Sequence, residues 1–130
     1  MSAKAIVPSK LQEYYDDWRM SPGLEVDGFI FLTGFTGADP DGRMSQVPEE
    51  QMRFAFEKIG AVLKEAKLDF GAIVEMTTYH VGLRDHLEIF KQIRAEHVQE
   101  PYPAWTAIEV AGFVHEEAII EIRVIARRKE

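Results

Sequence analysis

The stretch Tyr102-Pro-Ala-Trp-Thr-Ala-Ile-Glu-Val-Ala-Gly-Phe-Val-His-Glu-Glu-Ala-Ile-Ile-Glu-Ile-Arg-Val-Ile-Ala126 reads as two β-strands joined by a short polar turn. Side chains alternate between the two faces of a strand. In the second strand this sets Ile120, Ile122, Val124 and Ala126 against Ile119, Glu121, Arg123 and Ile125. The first set is a core face. The second carries charge among apolar neighbours, so it is either a partner surface or a site. In the first strand the same rule groups Trp105, Ala107 and Glu109 against Ala104, Thr106, Ile108 and Val110.

Working back from this stretch, Pro101 and Pro103 close a helix predicted over 86–97, with Asp85 as N-cap and Glu88 completing a capping box. Its buried stripe is Leu87, Phe90, Ile93 and His97. Before it, Ala72 to Val81 alternates Val74, Met76, Thr78 and His80 against Ile73, Glu75, Thr77 and Tyr79, which predicts a strand. A longer helix is expected over 48–67. Pro48 suits the first helical position, Glu49 and Glu50 complement the positive N-terminal end, and Met52, Ala55, Phe56, Ile59, Val62, Leu63 and Ala66 form one apolar stripe.

Residues 34–47 form a loop rich in Gly, Asp and Pro. Asp39-Pro-Asp-Gly42 resembles the opening of a calcium loop but lacks the later oxygen ligands, so no metal is expected. Leu24 to Val26, Asp27-Gly28 and Phe29 to Thr33 read as a hairpin whose second strand, apolar on both faces, is central. Ala5 to Val7, stopped by Pro8, supplies a short edge strand. The order is β-β-β-α-β-α-β-β. It predicts one α+β domain over 1–130: a single sheet of about six strands with two helices on one face. The uncovered face, with Ile119, Ile125 and Trp105 assigned to it, is expected to be buried by self-association.

The whole sequence has 130 residues, 46% hydrophobic, with a formal charge of −7 and no cysteine. That length suits one core. The acidic balance repels polyanions, so no nucleic-acid partner is expected. Lacking disulfides, a membrane-spanning run and a signal-like apolar segment, the chain is expected to be a soluble cytoplasmic protein.

Four histidines, at 80, 86, 97 and 115, have no metal-ligand spacing, and neither a nucleophile elbow nor a glycine-rich phosphate loop is present. Glu121 stands out. A mid-strand carboxylate between isoleucines is either paired with Arg123, two residues along the same face, or held for proton transfer with a pKa raised by burial. Spacing alone favours the ion pair, because charge pairs on strands are common.

Several segments together resemble a known family. They are Phe29-Ile-Phe-Leu-Thr-Gly34, Glu50-Gln51, Ile59 to Leu63, Ile73 to Val81, Pro103-Ala104, and Ile120-Glu121-Ile122 followed by Ala126. In order and spacing they are similar to the Rid (YjgF) family of reactive-intermediate deaminases. The resemblance implies a chorismate-mutase-like fold and a homotrimer with a central β-barrel and three intersubunit clefts. It also implies cofactor-free hydrolysis of 2-imino and 2-enamino acids, such as 2-aminoacrylate, to 2-keto acids and ammonia. By the same likeness Glu121 positions water and the backbone at Gly34 helps hold the ligand.

The sequence departs from the family pattern at four positions. Trp105 stands where an arginine holds the substrate carboxylate, Phe35 where glutamine is usual, Phe90 where asparagine is usual, and Met20 where active members often carry tyrosine. The expectation is a divergent hydrolase of a small imine or enamine. Glu121 is its catalytic residue, while Trp105, Gly34, Phe35, Phe90, Met20 and Arg123 bind substrate, Arg123 supplying the missing cation. The competing readings are a non-catalytic trimeric metabolite-binding protein and, ranked below it, an endoribonuclease.

Overall fold

The computed structural model describes residues 2–39 and 41–129. Its centre is β7, Ile120–Arg127, whose alternating burial puts Ile120, Ile122, Val124 and Ala126 in the core as its sequence predicts. Seven strands form one sheet in the order β1-β2-β3-β7-β5-β6, with the two-residue β4 paired separately to β7. The others are β1 (Lys4–Ile6), β2 (Gly23–Val26), β3 (Phe29–Leu32), β4 (Phe35–Thr36), β5 (Ile73–His80) and β6 (Ala104–Glu109). The β2–β3 hairpin turns on Asp27 and Gly28, both at positive φ, as the Asp-Gly pair predicts.

Helices α2 (Pro48–Glu65) and α3 (Leu83–Ala95) cover one face of the sheet, and a five-residue α1 (Gln12–Asp16) adds to the expected pair. The α2 stripe is buried as expected, against Ile30, Leu32, Ile122 and Val124. On the opposite face Phe29, Phe31, Val74 and Ile108 remain exposed. The α+β single-sheet expectation therefore stands.

Three local expectations are corrected. First, β6 and β7 do not form a hairpin. β5 lies between them, antiparallel to β7 and parallel to β6, and residues 110–119 span the gap. The parallel register Met76↔Trp105 puts Trp105 on the helix-covered face, away from Ile119 and Ile125. Second, an irregularity between Ile73 and Glu75 breaks the alternation of β5, so Ile73 is buried and Val74 is exposed. Third, α3 begins at Leu83 with Gly82 as N-cap in the left-handed region, and His86 is non-helical within it. The Asp85 cap does not form because Glu109, at the end of β6, already accepts from the N–H groups of Gly82 (2.9 Å) and Leu83 (2.7 Å).

Candidate functional site

The site begins where the edge next to β7 is interrupted. Phe31 pairs with Ile125 and Phe35 with Ile122, so three intervening residues on one strand face two on the other. Such an extra residue bends a strand and re-aims its neighbours. Here it brings Gly34 beneath the side chain of Glu121, and a Cβ at Gly34 would collide with the carboxylate. Glycine is thus required at 34 to let the Glu121 side chain lie across the backbone.

Glu121 is half-buried and, among the described residues, has no hydrogen-bond or ion-pair partner. Burial raises its pKa above the ordinary carboxylate value. The ion pair with Arg123 does not form. Arg123 is exposed on the uncovered sheet face opposite Thr77 and is not among the residues that line the cleft.

That cleft has a volume of about 590 Å³ and is bounded by α1, the flank of α2 and the strand break, with Tyr14, Trp18, Met20, Gly34, Lys58 and Glu121 on its walls. Tyr14 packs edge-on to Phe35 with ring centroids 5.5 Å apart. Its pKa is raised by burial, then by the negative charges of Glu13 and Glu121. Lys58 Nζ donates to the Thr36 carbonyl at 2.9 Å and to the Tyr14 hydroxyl oxygen at 3.2 Å. Burial lowers the Lys58 pKa to about 8, against the opposing charge of Asp39. Met20 Sδ accepts from the Thr33 hydroxyl at 3.6 Å.

Of the predicted site residues, the structure therefore brings Glu121, Gly34 and Met20 together. Phe35 is fully buried, because its register with Ile122 turns it under the sheet, and it supports Tyr14 from below instead of lining the cleft. Tyr14 and Lys58 were not singled out from the sequence. A tyrosine in the short helix before Met20 and a lysine beside the α2 stripe were the available signals.

Trp105 and Phe90 form a second cluster, on the helix-covered side of the sheet. The Trp105 ring lies 6.0 Å from that of Phe90, its indole N–H donates to Thr78 Oγ1 at 3.0 Å, and the Arg94 guanidinium sits 4.1 Å over it. Phe90 is fully buried, its ring also packed against Phe56 and His80. Thr78 Oγ1 also meets His80 Nε2 at 2.7 Å, and burial lowers the His80 pKa to about 4. Among the described residues, Arg94 Nε is buried without a partner. Trp105 and Glu121 lie on opposite faces of the sheet.

Other features are structural. Asp39 Oδ1 accepts from the N–H groups of Asp41 and Arg43, both at 2.9 Å, a turn arrangement instead of a calcium loop. No group of three or more His, Asp or Glu among the described residues could hold a metal. A depression of about 930 Å³ near Lys67, Gln99 and Lys129 is larger, but its Arg128 is committed to Glu25 and to the Ala66 carbonyl. No described helix is long and apolar enough to cross a membrane.

A family model described as Endoribonuclease L-PSP matches residues 15–128. The chain belongs to this family, the Rid/YjgF proteins. Among Rid relatives, the Escherichia coli RutC family protein YjgH is 31% identical over 130 residues, covering 97% of this chain and 95% of YjgH. The bovine 2-iminobutanoate/2-iminopropanoate deaminase is 30% identical over 110 residues, covering 82% of this chain and 77% of its own. A solved structure of E. coli TdcF with bound serine superposes with a TM-score of 0.74 at 28% identity, covering 85% of this chain and 88% of that one. These Rid proteins are what the chain is similar to, over most of its length.

Proposed function

We propose that this Rid protein hydrolyses a small imine or enamine to the carbonyl compound and ammonia, with Glu121 handling the water. One observation carries the reading. Glu121 is a half-buried carboxylate in an open cleft, without a side-chain partner among the described residues and with a glycine kept clear beneath it. A carboxylate with a raised pKa can take a proton from water and return it within one turnover. The bovine relative's name, 2-iminobutanoate/2-iminopropanoate deaminase, supports the reaction class, and serine bound in the TdcF structure supports a small ligand.

The working unit is a homotrimer with a central β-barrel and three clefts between subunits. Two features support it. Phe29, Phe31 and Ile108 leave an apolar sheet face uncovered. Trp105 and Glu121 sit on opposite faces of the same sheet, so one substrate can meet both only if they come from different protomers. Trp105 then presents an indole, with Arg94 behind it, where the family arginine would hold a carboxylate. A flat apolar surface favours substrates with a larger apolar substituent than the usual imino acids.

The test is ammonia release from freshly generated 2-iminobutanoate and from its phenyl-bearing counterpart, 2-imino-3-phenylpropanoate. The reading expects faster turnover of the phenyl compound. Thermal stabilisation by imines without any turnover would replace the enzyme with a binding protein.

A further inference from the structure

Lys58 is a second reactive group in the same cleft. It flanks the buried α2 stripe between Phe54 and Ile59, and Nζ lies 5.9 Å from the centre of the Tyr14 ring at the cleft wall. Its two hydrogen-bond partners are both acceptors, the Thr36 carbonyl and the Tyr14 oxygen. A neutral amine can donate to both with its two N–H bonds. No carboxylate lies within ion-pair distance of Nζ among the described residues. Burial lowers its pKa to about 8, so a minor fraction is the neutral amine near neutral pH and most of it above pH 8.

We propose that Lys58 is a nucleophile that captures the substrate carbon as a covalent lysyl imine. The proposal rests on the reading of the cleft as an imine hydrolase. The neutral Nζ adds to the carbon of the protonated substrate imine and forms the C–Nζ bond. A proton then moves from Nζ to the substrate nitrogen, with the adjacent Tyr14 hydroxyl as relay, and ammonia leaves. The lysyl iminium remains. Water, giving one proton to Glu121, adds to the same carbon. Nζ takes that proton from Glu121, the C–Nζ bond breaks as the carbinolamine hydroxyl gives its own proton to Glu121, and the carbonyl product departs; that last proton passes to the released ammonia. The sum is protonated imine plus water to carbonyl plus ammonium, with Lys58 and Glu121 restored. An amine of depressed pKa is a recognised route to such intermediates.

Borohydride trapping tests this. The protein is reduced in the presence of pyruvate or acetaldehyde, digested, and its lysines are compared by mass spectrometry. Lys58 is expected to carry the reduced adduct, about tenfold or more above any surface lysine, with labelling that rises through about pH 8. Lys58→Arg and Lys58→Gln, checked for native melting, should lose the adduct at that peptide. Glu121→Gln should keep it or accumulate it. Uniform labelling of surface lysines, or none at Lys58, overturns the proposal. If Glu121→Gln abolishes ammonia release while Lys58 never labels, the imine-hydrolase reading stands and the covalent step falls. If Lys58 labels but no imine is turned over, the nucleophile stands and the deaminase reading falls.

Discussion

The carboxylate of Glu121 lies directly over Gly34, at a point where even a methyl group would displace it. The two residues meet only because the strand opposite β7 gains one residue between Phe31 and Phe35.

Gly34→Ala should therefore damage chemistry more than folding. A side chain can swing aside, so the stability cost is expected at the low end of the ~1–3 kcal/mol typical of overpacking. Misplacing the carboxylate is expected to cost on the order of 10²-fold in kcat. Melting temperature and steady-state rates on the same sample check both.

His80 sets an acid limit on stability. It is fully buried, and burial with the nearby His86 holds its pKa near 4, below the ordinary imidazole value of 6.5. Between those values the unfolded chain binds more protons than the folded one, so stability falls as the pH drops. The contribution is fully present above about pH 6.5 and is lost down to about pH 4, worth about 3 kcal/mol if His80 titrates alone. Urea unfolding at pH 7.5 and pH 4.5 measures it, and His80→Phe should flatten the difference.

The second strand of the opening stretch was legible because its period-2 pattern coincides with burial on a central strand, and the α2 stripe and the Asp27-Gly28 turn were legible for the same local reasons. The partner of β6 was not. Parallel pairing through a crossover depends on contacts distant in sequence, and it placed Trp105 on the opposite face from the one expected. Glu121 stood out as a mid-strand carboxylate, while the role expected of it, and Gly34 itself, came from family likeness. Tyr14 and Lys58 were missed because a five-residue helix carries little periodicity, and a lysine beside an apolar stripe looks like ordinary surface charge.

Trp105→Phe should isolate the indole N–H. The ring can still stack between Phe90 and Arg94, while Thr78 loses one donor but keeps His80. A cost of about 1 kcal/mol is expected, the net worth of one hydrogen bond. Trp105→Arg should do worse, since it sets a second guanidinium beside Arg94. Melting curves of the two variants give the order.

Phe31 lies between Leu24 and Ile125 on the uncovered sheet face. If that face lines a trimer barrel, Phe31→Glu buries three like charges around one axis and should yield monomers with a native fold. Sedimentation and circular dichroism decide. A variant that still sediments as a trimer would move the interface elsewhere.

The most direct measurement is ammonia release by Glu121→Gln beside the wild type on the fastest imine substrate. The account predicts a native-like melting temperature and a rate lower by about 10²–10⁴-fold, the usual worth of a general base. A Glu121→Gln rate within a few-fold of wild type would contradict it.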